Sequence, residues 1–221
     1  MDAAAYDAWY DSPRGRWIGE TEYALASRLL AAAQGSSLLD VGCGTGWFTR
    51  RFARSDLQVT GLDNNAEWLA YARSCGDDDI AWLEGDAQAL PLADASFDHV
   101  VSIAALCFVA DERKAVAEIV RVTRRSFAIG WLNRLSLLYP AKGRHGGSGA
   151  YRGAQWHTAG QVRALFDGLP IHRLTIRCTV FLPGGTAMDR WLERLWPGFL
   201  PYGALLIAAG EPLRLSRDAM F

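Results

Sequence analysis

The chain has 221 residues, half of them hydrophobic, which is enough for one well-packed domain and cramped for two. Its 23 Lys and Arg against 24 Asp and Glu leave a net charge of −1, which argues against a sequence-independent grip on nucleic acid. The start from Met1 to Tyr10 is acidic and aromatic rather than basic and then apolar, and no apolar run reaches the ~18 residues of a membrane span, so a cytoplasmic protein is expected. Cys43, Cys75, Cys107 and Cys178 are scattered without a CxxC pair or a neighbouring His, so neither a disulfide framework nor a metal site is expected.

In chain order, Arg16–Gln34 reads as a helix with Ile18, Ala24, Leu25, Leu29 and Leu30 inward. Short apolar runs then alternate with amphipathic stretches. Strands are predicted at Ser37–Val41, Leu57–Leu62, Ile80–Glu84, Asp98–Ile103 and Ser126–Trp131, with helices at Trp47–Arg54, Asn65–Ser74 and Asp111–Val122. Ala141–Gly153 is rich in glycine and basic residues and reads as an exposed, mobile loop. A helix follows from Thr158 to Asp167, with Thr158 as its cap. Strands Ile171–Val180 and Ala204–Ala209 flank an aromatic segment, Thr186–Tyr202. The pattern predicts one α/β domain, a Rossmann-like, doubly wound seven-stranded sheet with one antiparallel strand. Residues 1–35 form its helical cover, 36–131 its cofactor-binding half and 132–221 its acceptor-side half, with the aromatic segment as an insertion.

Chemistry concentrates where the first strand ends. Leu38-Leu39-Asp40-Val41 runs into Gly42, Gly44 and Gly46, which allow a tight turn and let a ligand lie on bare backbone before a helix N-terminus. A dinucleotide site needs its third glycine three residues after the second. That position holds Trp47, so GxGxG suits an amino-acid carboxylate better than a pyrophosphate, and a nicotinamide enzyme is disfavoured. Asp63, at the end of the second strand, can accept from both ribose hydroxyls, or can simply cap the helix that follows. Asp86 and the Ala87 N–H, after the third strand, suit an adenine amine and ring nitrogen.

Leu39-Asp40-Val41-Gly42-Cys43-Gly44-Thr45-Gly46 resembles motif I of class I methyltransferases that use S-adenosylmethionine. Gly85-Asp86-Ala87-Gln88-Ala89-Leu90-Pro91-Leu92, followed by Asp94, Ser96, Phe97 and Asp98, resembles the second hallmark of their type 11 branch, which includes ubiquinone- and menaquinone-pathway C-methyltransferases. The resemblance implies that Asp40, Gly42, Gly44 and Gly46 hold the methionine part of S-adenosylmethionine, with Ser102 to Ala104 beneath it. It implies that Asp63 and Asn64 take the ribose, Asp86 and Ala87 the adenine, and Trp68 the adenine face, where ordinary core packing is the alternative. S-adenosylhomocysteine would be the product. The family's Pro-Gly-Gly turn before the fifth strand is replaced by Arg121-Val122-Thr123-Arg124-Arg125-Ser126, a local change away from the cofactor.

The acceptor side carries fewer signals. A small-molecule acceptor is expected, methylated by in-line displacement, with a non-catalytic cofactor-binding protein as the alternative. His157 and Tyr10 are the candidate catalytic residues, His157 as a base or else a structural histidine at a helix entrance. The aromatics Tyr6, Trp9, Tyr10 and Trp17 at one end and Trp191, Trp196 and Phe199 at the other predict an enclosed, largely apolar pocket. The later group reads equally as a packed helix or a homodimer contact.

Overall fold

The computed structural model describes residues 2–76 and 79–213. Seven strands form one sheet: β1 (Ser37–Val41), β2 (Gln58–Asp63), β3 (Ala81–Glu84), β4 (Phe97–Ile103), β5 (Thr123–Leu132), β6 (Ile171–Thr179) and β7 (Leu205–Pro212). Their order is β3-β2-β1-β4-β5-β7-β6, and β7 runs antiparallel to both of its neighbours. The strand order reverses at β1, so the carboxyl ends of β1 and β4 part there and leave a crevice.

Side chains along each strand alternate between two cores, which is why the strands read as continuous apolar runs. Leu38, Val101, Ala128, Leu205 and Ile207 face one side, packed under Leu25, Ala26 and Leu30 of α2 (Pro13–Leu30) and Phe52 of α3 (Trp47–Ala53). Leu39, Val100, Phe127, Ile129 and Leu206 face the other. They meet Ala115, Val116 and Ile119 of α5 (Glu112–Val122) and Val162 of α7 (Ala159–Ala164). In sequence order α1 is Ala3–Asp7, α4 is Ala66–Ser74, α6 is Leu138–Lys142 and α8 is Ala187–Glu193.

Three elements differ from the sequence-based expectation. Helix α2 begins at Pro13 rather than Arg16, because the Ser12 side chain accepts from Gly15 N–H and proline takes the first turn. It ends at Leu30 because Ala31 turns left-handed, at φ 48°. Ala141–Gly153 is not a bare loop. It holds the end of α6 and two 3-10 turns, Arg144–Gly146 and Gly149–Tyr151, drawn in as Tyr139 and Tyr151 close on Trp156. Finally, α5 passes into β5 with no turn between Val122 and Thr123, whose hydroxyl bonds back to the Ile119 carbonyl. Arg121 secures this junction, donating to Glu118, Asp94 and the Leu90 and Leu92 carbonyls.

Among the described residues no helix is long and apolar enough to cross a membrane, no group of side chains suits a metal ion, and all four cysteines are unpaired.

Candidate active site

The crevice at the strand ends is a cavity of 430 Å³, within the size range of small-molecule sites. Its floor is the glycine turn after β1. The Gly42 and Cys43 N–H groups donate to the Leu62 carbonyl, which pins the turn to the end of β2. Gly42 has φ 74° and Gly44 φ 55°, a region that side chains disfavour. A Cβ on Gly42 would lie 2.3 Å from the Ala105 Cβ, and one on Gly44 would press on the Trp68 ring at 3.2 Å. The turn is therefore bare where α4 and the segment after β4 approach it.

Asp63 stands beside this floor with both carboxylate oxygens oriented. One accepts from Gly44 N–H at 2.8 Å and the other from Asn65 N–H at 2.9 Å. Each oxygen keeps a second lone pair for a ligand hydroxyl. Asn65 caps α4 through its own side chain, which steers Trp68 into the cavity wall. Beyond β3, Asp86 accepts from the Gln88 N–H, a bond that holds its carboxyl below the usual carboxylate range.

The residues predicted to touch the cofactor divide into two groups. Gly42, Gly44, Asp63, Asn64, Trp68, Asp86 and Ala87 line the cavity. Asp40, Gly46 and Ser102 do not. Asp40 is 2% exposed beneath the turn, where one oxygen accepts from the Thr49 hydroxyl at 2.7 Å. Gly46 caps α3 and makes room for Trp82, since a Cβ there would strike that ring at 2.4 Å. Ser102 is wholly buried within β4, and the cavity is met instead by Ile103, Ala104 and Ala105.

Burial pushes the Asp40 carboxyl up to about 7, with the charge of Asp63 adding to it. The folded protein therefore holds a proton that the unfolded chain has released. This contribution to stability is complete below the ordinary carboxyl range and is lost as pH rises through about 7. Asp40→Asn, which can keep the Thr49 bond, should flatten that decline. Urea unfolding across the window checks it, and parallel pH profiles for the two proteins would rule it out.

The N-terminal residues close one side. Tyr6 and Tyr10 line the cavity, Tyr6 lying 5.0 Å from the Trp68 ring and Tyr10 stacked on Trp47 at 4.5 Å. This cover is latched by Asp7, which accepts from the Thr45 hydroxyl at 2.8 Å and from Arg50 at 3.2 Å. Sequence reasoning missed the latch, because nothing in the spacing of Asp7 and Arg50 pairs them. It also missed the wall formed by Leu106, Phe108, Val109 and Ala110, although the small-residue run after β4 marks the place.

The remaining candidates lie elsewhere. His157 is buried outside the cavity lining, its Nε2 2.7 Å from the Glu112 carboxylate. Trp191, Trp196 and Phe199 are exposed and line no part of the cavity, so this structure does not bring the later aromatics together with Tyr6 and Tyr10.

Strand order, bare glycine turn and oriented strand-end carboxylate together make this a doubly wound α/β fold with its cavity at the strand-order reversal. Residues 39–126 match the model of a methyltransferase domain. It is 37% identical over 198 residues to an uncharacterized protein of Mycobacterium tuberculosis, covering 84% of this chain and 64% of that one. It is 42% identical over 110 residues to the malonyl-[acyl-carrier protein] O-methyltransferase of Pectobacterium atrosepticum, covering 48% of this chain and 43% of that one. The chain thus spans less than two thirds of these relatives. A Thermotoga maritima structure, described as a SAM-dependent methyltransferase and possible histamine N-methyltransferase, superposes with a TM-score of 0.73 at 20% identity, covering 95% of this chain and 96% of that one. At that identity the likeness is one of fold.

Proposed function

We propose that the chain is an S-adenosylmethionine-dependent methyltransferase acting on a small-molecule acceptor. The observation that carries this reading is Asp63, held by two backbone N–H groups beside a floor that tolerates no side chains. A ribose offers the two hydroxyls that such a carboxylate accepts. Gly42 and Gly44 let an amino-acid moiety approach the backbone, while Asp86 and Ala87 serve the adenine and Trp68 covers it. Of the run Ser102 to Ala104 expected under the methionine end, Ile103 and Ala104 line the cavity, joined by Ala105, which supports that role for them rather than for Ser102.

Bound S-adenosylmethionine would supply a methyl group already activated by its sulfonium. The protein then has to position the acceptor in line and keep water out, and Tyr6, Tyr10, Phe108 and Val109 provide an aromatic and apolar wall for that. The resemblance to the O-methyltransferase covers under half of this chain, so it supports the cofactor chemistry and leaves the acceptor to the remainder.

Calorimetry tests the cofactor assignment. S-adenosylmethionine and S-adenosylhomocysteine should bind and NAD should not. Asp63→Ala should weaken both by about 1–3 kcal/mol, the scale of losing charged hydrogen bonds. Unchanged affinity in that variant would refute the ribose assignment.

A further inference from the structure

Gln88 lines the cavity half-buried, and the cofactor assignment leaves it without a role. Both ends of its amide are engaged. Nε2 donates to the two Asp86 oxygens at 3.2 Å each, beside the bond from the Gln88 N–H to the same carboxylate at 2.8 Å. Oε1 accepts from the Asp111 N–H at 2.9 Å. Asp111 is the N-cap of α5, its carboxylate accepting from the Lys114 N–H at 3.0 Å, and Ala110 just before it lines the cavity. One side chain therefore ties the turn after β3 to the start of α5.

This arrangement needs an amide. A carboxylate at position 88 would face Asp86 with no donor, and an apolar side chain would serve neither Asp86 nor the Asp111 N–H. The order imposed on Asp86 matters because that residue is exposed, and an unheld carboxylate on an exposed turn rotates about its side-chain bonds. The backbone of the turn is already closed by the Ala89 N–H, which donates to the Asp86 carbonyl at 2.9 Å. What is left to fix is the carboxylate itself, and Gln88 fixes it. The same bonds hold the Asp86 carboxyl below the usual carboxylate range, in keeping with an acceptor kept ionised.

We propose that Gln88 is the positioning residue for adenine recognition, fixing the Asp86 carboxylate to receive the adenine amine and anchoring it on the N-terminus of α5. The proposal rests on the methyltransferase reading above, in which Asp86 serves the adenine. Asp86 Oδ2 accepts only from Gln88 Nε2, so it keeps a lone pair for the amine. A carboxylate already held in place loses little freedom when its ligand arrives, whereas a rotating one must be ordered at that moment. Gln88 acts through Asp86, and its effect is confined to the part of the ligand that Asp86 reads.

Calorimetry on the full chain tests this by comparing S-adenosylhomocysteine with its purine analogue, in which hydrogen replaces the 6-amino group. The unaltered protein should prefer S-adenosylhomocysteine about tenfold or more, as a charged hydrogen bond requires. Gln88→Ala should cut that preference to about threefold or less while binding the purine analogue within about twofold of the unaltered protein. Gln88→Glu keeps the shape of the side chain but sets a second carboxylate against Asp86, and should cut the preference at least as far. In both variants the Leu90 N–H still has Glu118 of α5 as its acceptor, so the segment stays docked and the circular dichroism spectrum should not change. A preference kept in either variant would overturn the proposal, as would an equal loss of both ligands, which is what a loosened cavity produces. Equal binding of the two ligands by the unaltered protein would overturn the Asp86 assignment and the proposal with it. Failure of S-adenosylhomocysteine to bind at all would overturn the methyltransferase reading.

Discussion

Replacing Glu112 by alanine should cost about 3 kcal/mol or more of folding stability, because it strands a buried histidine. The carboxylate and the His157 ring are 2.7 Å apart, with side chains only 5% and 11% exposed. Their other polar atoms, Glu112 Oε1 and His157 Nδ1, have no hydrogen-bond partner. Each side chain is thus the other's sole polar contact among those described. Glu112→Gln, which keeps a hydrogen bond, should lose less. Denaturant unfolding at neutral pH measures the effect, and a loss under about 0.5 kcal/mol would mean that water reaches the pair. His157→Ala should likewise lower stability while leaving S-adenosylhomocysteine affinity unchanged, since His157 does not line the cavity. Loss of turnover at full stability would instead return His157 to a role as base.

Deleting residues 1–10 should abolish turnover and weaken cofactor binding by about 2 kcal/mol, or ~30-fold, through the loss of two aromatic walls. The deletion removes Tyr6 and Tyr10 from the cavity and Asp7 from its bonds with Thr45 and Arg50. It spares Ser12, the cap of α2, so the sheet and its helices should persist with an unchanged circular dichroism spectrum. Asp7→Asn should show a weaker form of the same defect. Full affinity in the truncated protein would show that the cover does not hold the cofactor.

The sheet was legible in the sequence because its central strands β1, β4, β5 and β7 are largely buried on both faces and bounded by polar or glycine-rich turns. Bounds agree within a few residues, and the antiparallel placement of β7 followed from its hairpin-like link to β6. The site was legible where chemistry is local. A glycine turn, an acid at the next strand end and Asp86-Ala87 are short motifs, and all of them contribute to the cavity. Asp40 and Gly46 sit inside the same motif but face away from the cavity, because successive strand residues point to opposite faces and the turn must also admit Trp82. The Asp7–Arg50 latch and the Glu112–His157 pair join residues more than 40 positions apart. No periodicity records such pairings, and they are decided only when the chain is packed.

The packing of α2 has a consequence for how the chain reaches this state during synthesis. Leu25, Ala26 and Leu30 share a core with Leu205, Ile207 and Ala209, so a helix that precedes every strand of the sheet is completed by the last described strand. Because β7 sits between β5 and β6, neither of those strands has its full set of backbone partners until β7 arrives. A nascent chain that stops after β5 would expose an apolar sheet edge, a hazard for aggregation. Assembly therefore waits on long-range closure, which makes folding slow relative to a helical protein of the same size.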